Sequence, residues 1–562
     1  MQLSPSAHVD TFCRDNLPPP GLWPELVFDL PELHYPDRLN AATRLLDGAV
    51  QRWGADRRCV LSPSSSWTYG QLLEHANQVA GVLIERGVVP GNRVLLRGPN
   101  NPWLVASWFG VLKAGAVAVA TMPMLRAHEL SKIVEGSRPT LALTDHRYAE
   151  ELHALPGLPV LRYGGDDPDD LTALAAAMPT RFDDVLTAAD DVALLAFTSG
   201  TTGRPKATMH FHRDLLAIAD TFSRYVLRPR PDDLFAGSPP LAFTFGLGGL
   251  VVFPMHAGAA TLLLEQCGPI ELIERAAEHG VSVLFTAPTA YRSILGSDRR
   301  ALLSGLRRAV SAGEALPASV AEEFHAATRR WLIDGIGGTE MLHVFISAAD
   351  SDVRPGATGK VVPGFRATVL DAEGHPVPDG VPGLLAVKGP TGCRYLADER
   401  QASYVRDGWN LTGDTYVRDA DGYFTFQARS DDMIVSAGYN IAGPEVEEVL
   451  MCHPDVLECA VVAAPDQTRG SIVAAYVVLR PGVVGDSAKV TELQDFAKGM
   501  AAPYKYPRRV EFLDELPRNP SGKLQRFLLR QRAAASVSIG SGPTIIAGAR
   551  RWPEARPPRV SR

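Results

Sequence analysis

Cysteine is scarce and scattered. Six residues (Cys13, Cys59, Cys267, Cys393, Cys452 and Cys459) occur in 562, and no CxxC pair is present. Neither a disulfide framework nor a structural zinc site is expected from such spacing. Positive charge is not in surplus: 56 Lys and Arg stand against 63 Asp and Glu, a formal net charge of -7. A chain that neutralises a phosphate backbone needs a basic excess, so nucleic acid is not expected as a partner. The start, MQLSPSAHVDTFCRDN, lacks a basic stretch followed by an apolar run. No signal peptide is expected there, and the cytoplasm is the expected compartment. An uncharged stretch at 241–264 reaches the length of a membrane span. It holds several glycines, Pro254 and His256, so a buried strand, loop and helix is expected, and no membrane partner. Residues 533–562 have no periodicity and are rich in Ala, Ser, Gly, Pro and Arg. They read as a disordered tail. No internal repeat is found.

What is present is an ordinary globular composition, 46% hydrophobic and 21% charged. The length allows several folding units, or one large body with a smaller module. Thr68 and Gln71 have capping-box spacing, and Leu72, Ala76, Val79, Ala80, Leu83 and Ile84 follow at helical intervals up to Gly87. The spacing then predicts a strand at 93–96, a helix at 103–113, a strand at 116–120, a helix at 129–135 and a strand at 140–144. Apolar runs at 192–197 and 281–285 continue the pattern. Alternation of this kind predicts an α/β body with mixed, largely parallel sheets. The texture changes near residue 430. A helix at 444–451, β-rich runs at 457–463 and 472–479, a helix from Val490 and a strand at 509–513 suit a small α+β domain. The expected division is a large N-terminal body of several subdomains at 1–430, a hinge at 431–432, a small mobile C-terminal lid at 433–532 and the tail at 533–562.

The segment Phe197-Thr198-Ser199-Gly200-Thr201-Thr202-Gly203-Arg204-Pro205-Lys206-Ala207-Thr208 follows an apolar strand. Glycines let backbone N–H groups approach an anion, hydroxyls add donors and Lys206 adds a point charge. A polyphosphate is the ligand this chemistry suits. The GxxxxGK[ST] spacing of a Walker loop is absent.

In this segment the chain resembles the adenylate-forming superfamily of acyl-CoA synthetases, adenylation domains and luciferases. Five further motifs stand in that family's order between residues 30 and 530. Ser311-Ala312-Gly313-Glu314-Ala315-Leu316 and Asp334-Gly335-Ile336-Gly337-Gly338-Thr339-Glu340 resemble adenine-binding segments. Leu411-Thr412-Gly413-Asp414 resembles the ribose segment, Ala428-Arg429-Ser430-Asp431-Asp432-Met433-Ile434 the hinge, and Pro517-Arg518-Asn519-Pro520-Ser521-Gly522-Lys523 the C-terminal lysine loop.

The resemblance implies two half-reactions. An acyl-adenylate forms from a carboxylic acid and ATP, then a small domain turns about Asp431 and a thiol attacks. Two anions must meet in the first step, so cationic and oriented donor groups dominate. Lys523 is then expected to bridge the carboxylate and the α-phosphate. Thr198, Ser199, Gly200, Thr201, Thr202, Gly203 and Lys206 would hold the outer phosphates. Gly313, Glu314, Asp334, Gly335, Ile336 and Thr339 would frame the nucleotide, Asp414 the ribose hydroxyls, and Arg429 the ribose or phosphates. Glu340 is the expected ligand of Mg²⁺, a hard cation that prefers oxygen. Ser436, Ala437 and Gly438 would line the pantetheine arm of coenzyme A. Two positions depart from the family's pattern: Ala207 replaces a glycine that often follows the loop lysine, and Gly338 stands where a larger or hydroxylated residue is common and is expected to enlarge the acyl pocket.

Within the family, the runs 241–249 and 338–345 resemble the aryl-CoA ligases, and 198–214 resembles the 2-aminobenzoate, benzoate and salicylate enzymes. Thr244, Phe245, Gly246, Gly338 and His343 are the expected acyl pocket, with a flat apolar slot for an aromatic ring. His343 is expected to act on the carboxylate or an ortho substituent. Benzoate ligases tend to carry Tyr where Phe245 stands. His210 and His212 are expected to shape the segment rather than to react. The expected partners are an aromatic acid, ATP and coenzyme A. Alternatives are a free-standing adenylation enzyme that loads a carrier protein, a non-catalytic nucleotide-binding homologue and a membrane-bound fatty-acid ligase. The sequence sets no oligomeric state.

Overall fold

A computed structural model describes residues 3–198, 205–429, 432–436, 439–466, 470–501, 505–518 and 524–535. Two compact units emerge: the described residues of Met1–Thr368, Leu385–Thr412 and Arg418–Thr425, and those of Val369–Leu384, Gly413–Val417 and Phe426–Arg562. The second unit thus takes two short segments that precede residue 430.

The first unit holds a six-stranded and a nine-stranded sheet. The six-stranded sheet runs in the order Val160–Tyr163, Leu141–Asp145, Arg93–Arg97, Val117–Thr121, Val192–Thr198 and Lys206–Phe211. All its pairings are parallel except the last, a hairpin. Strands covered on both faces read as continuous apolar runs, and residues 192–196 are all buried. Arg93–Arg97 is buried throughout despite its two charges. The Arg97 guanidinium donates to the carbonyls of Tyr148, Met122, Pro123 and Leu125, which satisfies it without a carboxylate.

The helix Tyr69–Glu85 begins on the expected capping box: Thr68 accepts from the Gln71 N–H and Gln71 accepts in return from Thr68. It stops where Gly87 takes φ +80°. In the nine-stranded sheet the strands Leu234–Gly237, Ala260–Leu262, Val283–Thr286, Arg308–Ser311 and Ile333–Gly337 pair in parallel, and Val344–Ser347 joins antiparallel.

The uncharged stretch corrects one expectation. It is not strand, loop and helix but helix first: Thr244–Leu247, Gly248–Val252 and Phe253–Ala257 form successive helical turns, and Ala260–Leu262 is the strand. Pro254 stands where the turn Gly248–Val252 passes into Phe253–Ala257, and Gly258 at φ +70° ends the run. Among the described residues no helix is long and apolar enough to cross a membrane. No disulfide links the cysteines among the described residues.

In the second unit Val456–Asp466 pairs antiparallel with Gly470–Leu479, which pairs in parallel with Arg509–Phe512. Helices Gly443–Met451 and Ser487–Met500 bury Val446, Leu450, Leu493 and Ala497 in one core with Val461, Val473 and Val477. Helix Arg526–Ala535 buries Leu529 and Ala533 in another with Tyr476 and Val478. That burial extends ordered chain past Ala533, where the sequence reading begins the tail. Residues 536–562 lie outside the described part.

Candidate active site

The glycine-threonine loop joins two strands of a hairpin. Thr198 ends one strand and Lys206 opens the next, and the two residues face each other in register. Ser199, Gly200, Thr201, Thr202 and Gly203 lie outside the described residues. The Thr198 hydroxyl is buried without a hydrogen-bond partner among the described groups, an orphan donor beside the loop.

Lys206 meets two groups that are remote in sequence. Its Nζ donates to the Tyr395 hydroxyl at 2.7 Å and lies 3.5 Å from Glu340 Oε1. The Tyr395 hydroxyl in turn donates to Glu340 Oε1 at 2.6 Å. Below the ammonium lie the rings of Tyr395 and Tyr404, 4.6 and 5.8 Å from Nζ to the ring centres. Burial pushes the Tyr395 phenol far above its usual range, and the Glu340 charge adds to this, so the hydroxyl stays neutral. The residues around Tyr395 are brought here by pairing with the hairpin: Met209 N–H donates to the Arg394 carbonyl and Leu396 N–H to that of Ala207.

Glu340 is carried on the short helical turn Thr339–Met341, directly after strand Ile333–Gly337. His210 on the hairpin is 2.7 Å from the Thr339 carbonyl through Nε2 and so ties the turn to the loop strand. Asp214 and Arg394, both fully buried, form an ion pair behind it. Burial alone would raise the Asp214 carboxyl, but Arg394, His210 and Arg213 together outweigh that and hold it low. Leu342 closes the turn at φ +68°, a strained conformation for a branched side chain. The next residue, His343, points into a different environment. Its ring centre lies 5.3 Å from that of Phe222, 5.7 Å from Phe245 and 4.6 Å from Phe253. Phe285 stands 5.4 Å behind Phe245. Neither His343 nitrogen makes a well-formed hydrogen bond among the described residues. Burial drives the imidazole down to about 3, weakly opposed by the Phe245 backbone, so it is neutral, with one donor and one acceptor.

The glycines divide into two roles. A side chain on Gly248 would meet His343 Cδ2 at 2.4 Å, so this glycine gives the imidazole its place. A side chain on Gly246 would instead strike the Pro240 carbonyl at 2.1 Å, a backbone constraint. Thr244 is buried at the start of the same helical run. Gly338 is extended, with Glu340 Oε2 3.5 Å from where its Cβ would be.

Gly313 takes φ +93° just after strand Arg308–Ser311, with open space where a Cβ would stand, and Glu314 follows it. Asp334, Gly335 and Ile336 lie on the strand before Thr339. Asp334 is half-buried, its Oδ1 makes no hydrogen bond among the described residues, and burial raises the carboxyl to about 8 although the Gly335 N–H opposes this. Asp414 and Ser436 belong to the second unit, on strands Trp409–Arg418 and Met433–Ser436, and both are buried. Arg429 ends strand Phe424–Arg429. Asp431, Ala437, Gly438 and Lys523 lie outside the described residues.

Sequence reasoning missed Tyr395 and Arg394. Their segment, Cys393-Arg394-Tyr395-Leu396, has no periodicity or motif spacing, and Tyr395 stands 189 positions from Lys206.

Residues 46–395 match the family model of the AMP-binding enzymes, and residues 445–523 match that family's C-terminal domain. The chain belongs to the AMP-binding enzyme family. Among relatives, the benzoate–CoA ligase of Thauera aromatica is 34% identical over 89% of this chain and 97% of its own. The crystal structure of the anthranilate CoA ligase AuaEII in complex with anthranoyl-AMP superposes with a TM-score of 0.86 at 32% identity, covering 91% of this chain and 100% of that one. ATP-bound MatB from Rhodopseudomonas palustris gives a TM-score of 0.82 at 29% identity, covering 88% of this chain and 98% of that one. These likenesses extend over both units, so family membership rests on the whole chain rather than on the phosphate loop alone.

Proposed function

We propose that this protein activates an aromatic carboxylic acid of the benzoate, 2-aminobenzoate or salicylate class with ATP, and passes the acyl group to coenzyme A. The observation that carries the reading is one turn, residues 339–343, whose two ends face different chemistries. Glu340 stands with Lys206 and Tyr395 beside the glycine-threonine loop, and His343 stands among Phe222, Phe245 and Phe253. The aromatic walls suit a flat ring. The neutral imidazole, with no well-formed hydrogen bond among the described residues, suits a carboxylate or an ortho amino or hydroxyl group. The benzoate and anthranilate ligases among the relatives support the same substrate class.

In the first step a carboxylate oxygen bonds to the α-phosphorus, the bond to pyrophosphate breaks, and an acyl-adenylate results. Lys206 would hold the outer phosphates as a cation, with the Thr198 hydroxyl as an added donor. Asp334 would accept from the adenine amine, Gly313 and Glu314 would border the base, and Asp414 would accept from the ribose hydroxyls. Arg429 and Lys523 would supply further positive charge, Lys523 at the reacting oxygens. Glu340 suits Mg²⁺: its protein contacts fall on Oε1, and Oε2 has no partner among the described residues. A bound Mg²⁺ would neutralise charge developing on the phosphates. In the second step the thiol of coenzyme A bonds to the acyl carbon and AMP leaves. Ser436, Ala437 and Gly438 would border its pantetheine, after a turn about Asp431.

A screen of pyrophosphate release over benzoate, 2-aminobenzoate, salicylate and aliphatic acids, with and without coenzyme A, tests this. Aromatic acids should give the signal, and thioester should appear by mass spectrometry only with coenzyme A. Turnover of long-chain acids alone would overturn the substrate class. Adenylate formation without thioester would direct the acyl group to a carrier protein instead.

A further inference from the structure

The Tyr395 hydroxyl sits between the two charges of the phosphate site, and nothing in the chemistry above uses it. It has one proton. Glu340 can only accept, so that proton goes to Oε1 at 2.6 Å, and an oxygen lone pair receives the Lys206 ammonium at 2.7 Å. The ring is fixed from all sides: Tyr395 is fully buried, its backbone N–H donates to Gln401 Oε1 at 2.8 Å, and Tyr404 packs edge-on against it at 5.7 Å. Gln401 is itself anchored through Nε2 on the Leu22 and Cys393 carbonyls.

We propose that Tyr395 is a positioning residue for the metal-nucleotide complex: by occupying Oε1 of Glu340 it presents Oε2 to the cation, and by receiving Lys206 it stops the ammonium from closing on the same carboxylate. Without the hydroxyl, Lys206 and Glu340 are free to shorten their 3.5 Å separation into a direct pair. Such a pair competes with the cation for Glu340 and with phosphate for Lys206. The inference rests on the reading of the phosphate site given above.

The test is ATP binding by calorimetry, without any acid present, in Mg²⁺ and in EDTA. The ratio of the two dissociation constants reports how much the metal helps. Wild type should bind more tightly with Mg²⁺. Tyr395→Phe keeps the ring under Lys206 and should lower that ratio about tenfold, the loss expected for one hydrogen bond to a charged group. Lys206→Met should weaken ATP in both conditions and leave the ratio near that of wild type, which keeps the proposal testable if Tyr395→Phe does not fold. An unchanged ratio in Tyr395→Phe overturns the proposal, as does a ratio that collapses in Lys206→Met. Wild-type protein that binds no ATP at all would sink the phosphate-site reading and this inference with it.

Discussion

The Lys206 ammonium and the Glu340 carboxylate, 134 positions apart in the chain, come within 3.5 Å of each other across the end of the loop hairpin. Each would have a separate partner in the working complex, the lysine a phosphate and the glutamate a cation. Lys206→Ala should therefore raise the KM for ATP about 10- to 100-fold, the range of one or two charge-assisted hydrogen bonds. The KM for the aromatic acid should stay within a few-fold. Steady-state kinetics with each substrate varied in turn separate these outcomes, and equal change in both would contradict the assignment.

His343 and Gly248 give the complementary result. A methyl group at Gly248 would lie 2.4 Å from His343 Cδ2, and the enclosing phenylalanines leave the ring little room to retreat. Gly248→Ala should raise the KM for the acid tenfold or more, with ATP binding preserved, because overpacking of this size costs about 1–3 kcal/mol. His343→Ala should lower kcat/KM for the acid with little effect on ATP. Pyrophosphate-release kinetics check both, and wild-type acid selectivity in Gly248→Ala would show that the pocket lies elsewhere.

Acid should destabilise the fold through its buried imidazoles. His343 and His212 are both held down to about 3 by burial, against an ordinary value of 6.5 in the unfolded chain. Between those values the unfolded state binds protons that the folded state refuses, so stability rises with pH across the window and falls as pH drops below 6.5. The slope approaches about 1.4 kcal/mol per pH unit for each group. His212 accepts the Ala41 N–H through Nδ1 at 3.1 Å. His212→Asn retains an acceptor and should show a shallower loss between pH 7 and 5 in urea denaturation. Parallel curves for variant and wild type would remove His212 from the account.

Arg394 and Asp214 are fully buried partners. Arg394→Met takes from the buried Asp214 carboxylate its strongest cation, leaving His210, Arg213 and the Phe211 N–H, and should cost about 3–5 kcal/mol. The double variant Arg394→Met, Asp214→Leu should recover much of that loss, since a buried pair is often replaceable by apolar groups. Chemical denaturation of the two variants decides it. A double variant as weak as the single one would show that shape, not charge, is what the pair supplies.

Lys523 carries the prediction that rests most on family resemblance. Lys523→Ala should abolish adenylate formation yet spare thioester formation from a supplied acyl-adenylate, whereas Asp431→Pro should chiefly impair the thioester step. Separate assays of the two half-reactions test the pair, and equal loss of both steps in Lys523→Ala would count against its role.

Much of this was legible in the sequence because it is local. The capping box at Thr68 and the apolar runs of the six-stranded sheet are set by neighbours within a few residues, and helix and strand form where those signals stand. The spacing of Glu340 and His343 also marks one segment as chemically loaded. What stayed hidden depends on tertiary context. Tyr395 becomes notable only because an isolated bridge to Thr208 sets it against the hairpin, and no periodicity announces a hydroxyl that bridges two distant charges. The 241–264 stretch was read in reverse order because an apolar run buried on all sides loses the amphipathic signal that separates helix from strand. Its punctuation, Pro254 inside the helical run and Gly258 at its end, was the better guide.

The strained backbone at Leu342 has a final consequence. Glu340 and His343 share a five-residue bend with no slack, so an ill-fitting acid that displaces the imidazole also misaligns the carboxylate at the other end. Discrimination among ring substituents should then register in the turnover number as much as in affinity, and poor substrates should be recognised by idle nucleotide as well as by weak capture.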